Sequence, residues 1–157
     1  MVSNLNAFQR SQSTMSKNFS IKDLQFSATA ARLGLDNTCP PELLANMALV
    51  ADRLEEVRAY FGRPVRVLSC YRSPLVNKAV GGSKNSAHRF ALAADFTIPG
   101  VPVLDVAKWC AENIKDFDQV IYEFGQWVHM GFSTTPRKQL LTATKKDGKT
   151  IYTTGLA

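Results

Sequence analysis

The chain has 157 residues, 45% of them apolar and 20% charged, with a net charge of +6. That is one globular domain, and it excludes disordered and fibrous classes. The basic excess favours anionic partners such as nucleic acid, an acidic membrane surface or a bacterial cell wall, but the cations are scattered without a dense basic run, so no nucleic-acid motif supports the first of these.

Residues 1–18 are rich in Ser, Asn and Gln and read as a mobile arm, which leaves 19–157 as the domain. A short helix or an extended lead-in is expected over 27–35. Two prolines turn the chain at 36–41. A helix follows over 42–61, where Leu43, Met47, Val50, Leu54, Val57 and Phe61 form one apolar stripe. Gly62 ends it and Pro64 prevents its restart. Residues 65–71 read as a strand, and Ser73-Pro74 opens a short helix that Gly81-Gly82 closes. A second strand is expected over 93–98. Leu104, Ala107, Ala111 and Ile114 then mark a second amphipathic helix. Segments 119–124 and 127–132 read as strands joined tightly at Gly125. Segments 140–145 and 149–153 flank Asp147-Gly148, a strong hairpin signal. The expected fold is α+β, a small, mainly antiparallel sheet with helices packed on one side.

No secretory signal and no apolar run of membrane-spanning length is found, so synthesis in a cytoplasm is expected, with any external target reached by another route. The three cysteines, Cys39, Cys70 and Cys110, are odd in number and contain no CxxC pair. They read as small buried hydrophobes in a reducing compartment.

The chain has two histidines, and both lie in ligand-like surroundings. His88 precedes Asp95 by seven residues, and His129 sits in the alternating apolar run Trp127-Val128-His129-Met130. Two imidazoles and one carboxylate leave one position open on a tetrahedral zinc, which is how catalytic zinc sites are built. Taken singly, a histidine in an apolar strand is more often a satisfied core residue, and an aspartate after Ala93-Ala94 can cap a turn. The same donor set also serves the facial triad of non-haem iron oxygenases, although there the carboxylate usually follows the first histidine by two residues.

The run Ser69-Cys70-Tyr71-Arg72-Ser73, then Asn77, Val80-Gly81-Gly82, Ser86-Ala87-His88, Ala93-Ala94-Asp95, Tyr122-Glu123-Phe124 and Trp127-Val128-His129 resembles the zinc peptidases that cut peptidoglycan stem peptides. These are the D-Ala-D-Ala carboxypeptidases and phage L-Ala-D-Glu endopeptidases, and the short phage and prophage branch is the most similar. The resemblance runs from about Asn18 to near the C-terminus. It implies that His88, Asp95 and His129 bind Zn2+, with the site on the sheet. It gives Arg72 a catalytic or substrate-binding role, where a guanidinium can grip a carboxylate or stabilise an oxyanion.

Two departures from the family pattern stand out. Ala91 occupies a position that is commonly glycine, which costs little unless that position needs positive φ. Gln126 occupies the usual place of the acidic base, three residues before the last histidine. In the phage-type branch the carboxylate lies earlier, so Glu123 is expected to be the base. A three-residue turn at 124–126 would put Glu123 on the face of His129, and a two-residue turn at Gly125-Gln126 would point it away. Asp118 is the fallback base. Ser86 and Asn77 are open as substrate contacts or loop caps, Trp127 is expected to pack beside the site, and Tyr71 and Tyr122 are expected in the core.

The function expected from this resemblance is a monomeric zinc peptidase acting on the bacterial wall as a phage or prophage lysin, released through a holin or carried by a virion. A non-catalytic wall-binding or phage structural module that keeps the metal site is the alternative, and an iron oxygenase stands behind it.

Overall fold

The computed structural model describes residues 14–157. Of the arm expected over 1–18, residues 1–13 lie outside the described residues. Over 14–18 the chain is tied to the domain. Met15 packs against the core, and Asn18 donates to Glu55 from its backbone N–H at 2.9 Å and its side-chain amide at 2.7 Å.

Two short helices follow, α1 (Ile21–Gln25) and α2 (Ala28–Leu33). Each starts at a serine whose hydroxyl accepts a first-turn N–H, from Asp23 and Ala30 respectively. α2 is the helix expected over 27–35. A tight 3-10 turn, Pro41–Leu43, leads into α3 (Leu44–Phe61). The α-helical geometry therefore begins two residues later than expected, after prolines that lack the N–H a regular first turn would orient. Gly62 caps α3 in the left-handed region, φ 61°, with its N–H on the Arg58 carbonyl. Met47, Val50, Leu54 and Val57 are fully buried, as the stripe requires.

Then come β1 (Arg66–Ser69), α4 (Pro74–Ala79), a 3-10 turn at Ala87–Phe90, β2 (Ala93–Thr97) and α5 (Val103–Asn113). The buried face of α5 is Val106, Ala107, Cys110 and Ile114. The expected stripe was rotated from this, because Leu104 and Ala111 are only half-buried. β3 (Gln119–Glu123), β4 (Trp127–Gly131), β5 (Gln139–Lys146) and β6 (Lys149–Thr154) complete the domain.

The six strands form one sheet in the order β1-β2-β4-β3-β5-β6. Every pair is antiparallel except β3–β5. Residues 132–138 carry the chain from the end of β4 past the start of β3, so β5 runs beside β3 in the same direction. The fold is α+β with a mixed, mainly antiparallel sheet. The β5–β6 hairpin closes on Asp147-Gly148, both at positive φ, as its sequence signal indicates.

Residues directly opposite across a ladder share a face of the sheet. One face presents Phe96, Val120, Val128 and Met130 to Met47, Leu54, Val106 and Cys110 of the helices, in a single core. The other face carries Asp95, His129, Ile121 and Glu123.

Candidate metal centre

Asp95 and His129 are direct cross-strand partners in the middle of the sheet. His88 reaches them from the 3-10 turn, whose first N–H groups are capped by Ser86 and whose end is Ala91 at φ 55°. That turn needs the left-handed conformation, so the alanine found there carries strain that glycine would not. His88 Nδ1 donates to the Cys70 carbonyl at 2.7 Å, which fixes the tautomer and leaves the Nε2 lone pair aimed at the sheet.

His88 Nε2 lies 3.2 Å from Asp95 Oδ1 and 3.2 Å from His129 Nδ1, and the last two are 2.9 Å apart. Ligand atoms of a tetrahedral zinc, about 2.0–2.2 Å from the ion, stand roughly 3.3 Å from one another. The triangle fits that spacing. Its electrostatics fit too. With its proton on Nδ1, His88 presents a bare lone pair beside the Asp95 carboxylate oxygen, an arrangement that a cation among the three donors stabilises. All three residues are buried. Burial pushes His88 down, keeping it neutral. Burial opposes ionisation of Asp95, but His88 and His129 outweigh it and hold its carboxyl well below the usual range. Burial would lower His129 as well, yet the hydrogen bond and charge of Asp95, with Glu123, raise it.

Glu123 pairs with Trp127, so the turn at 124–126 is the three-residue kind. Phe124 and Gly125 both take positive φ, 57° and 67°, and the Gln126 N–H closes on the Glu123 carbonyl at 2.9 Å. Glu123 Oε1 consequently stands 3.6 Å from His129 Nδ1. Burial, then the charge of Asp95, push the Glu123 carboxyl up to about 7. The Trp127 indole N–H makes no hydrogen bond and is near enough to Glu123 to favour its charged form. Gln126, in the usual place of the acid, is exposed in the turn.

Asp118 lines the same cleft but is committed elsewhere. Arg137 donates to it from Nε at 3.0 Å, Nη2 at 2.7 Å and its backbone N–H at 2.8 Å. Those hydrogen bonds hold Asp118 below its ordinary value.

Arg72 also lines the cleft, half-buried, with Nη1 on Asn77 Oδ1 at 3.2 Å and Nε without a partner. Asn77 is buried and donates to the Ser83 carbonyl at 2.8 Å, so it braces both Arg72 and the loop after α4. Gly82 belongs to this brace, since a Cβ there would collide with Asn77 Oδ1 and come within 2.9 Å of Arg72 Nη1. Ser86 serves as a cap, Tyr71 is core, and Tyr122 is half-buried against the core. Asn77 and Gly82 stood in the sequence motif, but their part in bracing Arg72 was not legible there, and neither was the Cys70 carbonyl, which meets His88 from eighteen residues away. The cleft as a whole measures about 1280 Å³, above the usual range for small-molecule pockets, which suits an extended substrate.

A family model for Peptidase M15 matches residues 17–131, which include the three donors, Arg72, Asp118 and Glu123. The chain belongs to the Peptidase M15 family and is a metallopeptidase, with His88, Asp95 and His129 as residues that could hold the ion. The match ends at the last residue of β4, so the β5–β6 hairpin lies beyond it. None of the curated proteins matches the chain. Among the described residues, no helix is long and apolar enough to cross a membrane.

Proposed function

We propose that the chain is a zinc peptidase that hydrolyses bonds in bacterial peptidoglycan stem peptides, of the L-Ala-D-Glu or D-Ala-D-Ala type. The observation that carries the reading is the convergence of His88 Nε2, Asp95 Oδ1 and His129 Nδ1 with the Glu123 carboxylate beside them, 3.6 Å from His129 Nδ1. Zinc held by the three donors supplies a Lewis acid and lowers the pKa of water toward ~7. Glu123 takes a proton from the attacking water and returns it to the leaving amine. Its raised affinity for protons, set by burial and by the charge of Asp95, suits that exchange, whereas the Arg137 fork engages both oxygens of Asp118 and lowers its affinity for protons. The Arg72 guanidinium faces the cleft and stabilises the negative charge that develops on the scissile carbonyl. The Peptidase M15 match favours this chemistry over that of an iron oxygenase.

The wider setting is proposed on the same footing. The +6 charge draws the protein to anionic wall polymers. All the groups invoked come from one chain, which suits a monomer. A phage or prophage lysin that reaches the wall by holin-dependent release or on a virion fits the sequence resemblance.

Purified peptidoglycan is the substrate for the test. The zinc-loaded protein is expected to release new amino groups, to stop after chelation and to recover with added zinc, while mass spectrometry of the fragments identifies the bond. A folded, zinc-loaded protein that releases nothing would establish the non-catalytic wall-binding alternative. Gly82→Ala tests the brace. It is expected to keep zinc and fold but lose about 10–10²-fold in kcat/KM as Arg72 is displaced. Wild-type kinetics in that variant would remove the Arg72–Asn77 contact from the mechanism.

A further inference from the structure

The β5–β6 hairpin lies beyond the Peptidase M15 match, yet it supplies one wall of the cleft through Lys145, Thr150 and Tyr152. The register explains why. Glu123 pairs with Ala143, and Ala143 with Tyr152, so these residues share the face of the metal donors. Lys145 is two positions further along β5 on that face, opposite Thr150.

Lys145 is exposed, and its ammonium is held over the Phe124 ring, 5.5 Å from the centroid, beside the turn that positions Glu123. Among the described residues it makes no ion pair, in contrast to Arg137, the other cation on this side of the cleft, which is spent on Asp118. Tyr152 keeps 55% of its surface exposed although it lines the cleft. A cation and a phenol open to the same groove make a donor pair for an anionic, planar group.

The strand order sets the sequence in which these groups line the cleft. Arg72 follows β1, Asp95 and His129 sit on β2 and β4 with His88 on the turn before β2, Glu123 is on β3, and Lys145 is on β5. A peptide laid across the strands meets them in that order. From β4 to β5 is two strand spacings, roughly 10 Å, or about three extended residues.

We propose that Lys145 and Tyr152 bind a carboxylate of the peptide substrate two to three residues from the scissile bond, and so select acidic peptides. The proposal rests on the peptidase reading above and specifies its substrate. Lys145 acts as a point charge and Tyr152 as a hydrogen-bond donor, so both contribute to binding and neither to bond breaking.

The test compares wild type, Lys145→Glu, Lys145→Arg and Tyr152→Phe on a synthetic stem peptide and on versions with each carboxylate amidated in turn. Lys145→Glu is expected to raise KM by about 10-fold or more with kcat within about 2-fold, the scale of a lost charge-assisted contact. Lys145→Arg should restore KM, and Tyr152→Phe should raise it less. Amidating one particular carboxylate should raise the wild-type KM and abolish the difference between wild type and Lys145→Glu. Equal KM for wild type and Lys145→Glu, or a loss that persists on every amidated peptide, overturns the subsite while leaving the peptidase intact. A zinc-loaded wild type that cleaves none of the peptides and no peptidoglycan overturns the peptidase reading and the subsite with it.

Discussion

Chelation of the zinc-loaded wild type is expected to lower its melting temperature by roughly 8–16 °C. A ligand present at 1,000 times its Kd stabilises the folded state by about 4 kcal/mol. For a domain of this size each kcal/mol is worth about 2–4 °C. His129→Ala and Asp95→Ala leave two protein donors, so both should melt at one temperature with and without chelator and retain no stoichiometric zinc after dialysis. Loss of wall-degrading activity should accompany the loss of metal. Zinc at full occupancy in His129→Ala, read by elemental analysis, would sink the ligand assignment.

The metal affinity carries its own pH signature. Asp95 is already ionised and His88 is kept neutral, so neither binds a proton that the ion must displace near neutrality. His129 is different. Despite its burial, the hydrogen bond to Asp95 raises it above the ordinary imidazole value, and a proton there competes with the ion. Zinc affinity should fall as pH drops through that raised value and level off above it. In the metal-free protein the sign is opposite. The stability His129 contributes is present below its ordinary value and is lost as pH rises through the folded one.

Glu123→Gln should reduce turnover on cell walls by at least ~10²-fold while fold and zinc content persist. Glutamine has nearly the same shape and cannot accept the proton. The acid limb of kcat/KM should weaken in that variant if residual activity is measurable. An added cation at the three donors draws Glu123 downward, so in the zinc-loaded enzyme this limb should lie below about 7, the value to which burial pushes it without metal. A second readout does not depend on activity. In the metal-free protein the folded state keeps Glu123 protonated up to about 7, where the unfolded chain has already released the proton. The folded state binds the extra proton, so stability falls as pH rises from the usual carboxylate range to about 7. Metal-free Glu123→Gln escapes that loss. It should match metal-free wild type near pH ~4 and melt higher than it above pH ~7. Normal turnover by Glu123→Gln, with activity abolished in Asp118→Asn, would move the base to Asp118.

How much of this was legible in the chain depends on the range of the interaction. Residue chemistry alone pointed to His88, Asp95 and His129, because few side chains can donate lone pairs to a metal and the chain has only two histidines. Period and punctuation placed α3, the strands and the Asp147-Gly148 hairpin, since these depend on neighbours within a few residues. The same local rules misjudged α5, where Val106 and Cys110 face the core in place of Leu104 and Ala111. Helix rotation is decided by the surface it meets, and that surface comes from strands elsewhere in the chain.

The side of the sheet that Glu123 occupies was beyond the sequence. A two-residue and a three-residue turn differ by one step of register, which reverses every side chain. The choice rests on Phe124 adopting positive φ, which a bulky non-glycine residue does not advertise. That Asp118 is engaged by Arg137, nineteen residues away, was likewise beyond the sequence. Lys145 and Tyr152 entered the cleft only through the parallel pairing of β5 with β3. The sequence by itself determined which atoms can bind a metal, the two long helices and the strands, but not the short helix at Ile21–Gln25, because the former are properties of residue type and local spacing. Tertiary structure alone decided which carboxylate stands beside His88, Asp95 and His129 and which cations lining the cleft are paired, because both depend on strand register and on partners brought together from distant parts of the chain.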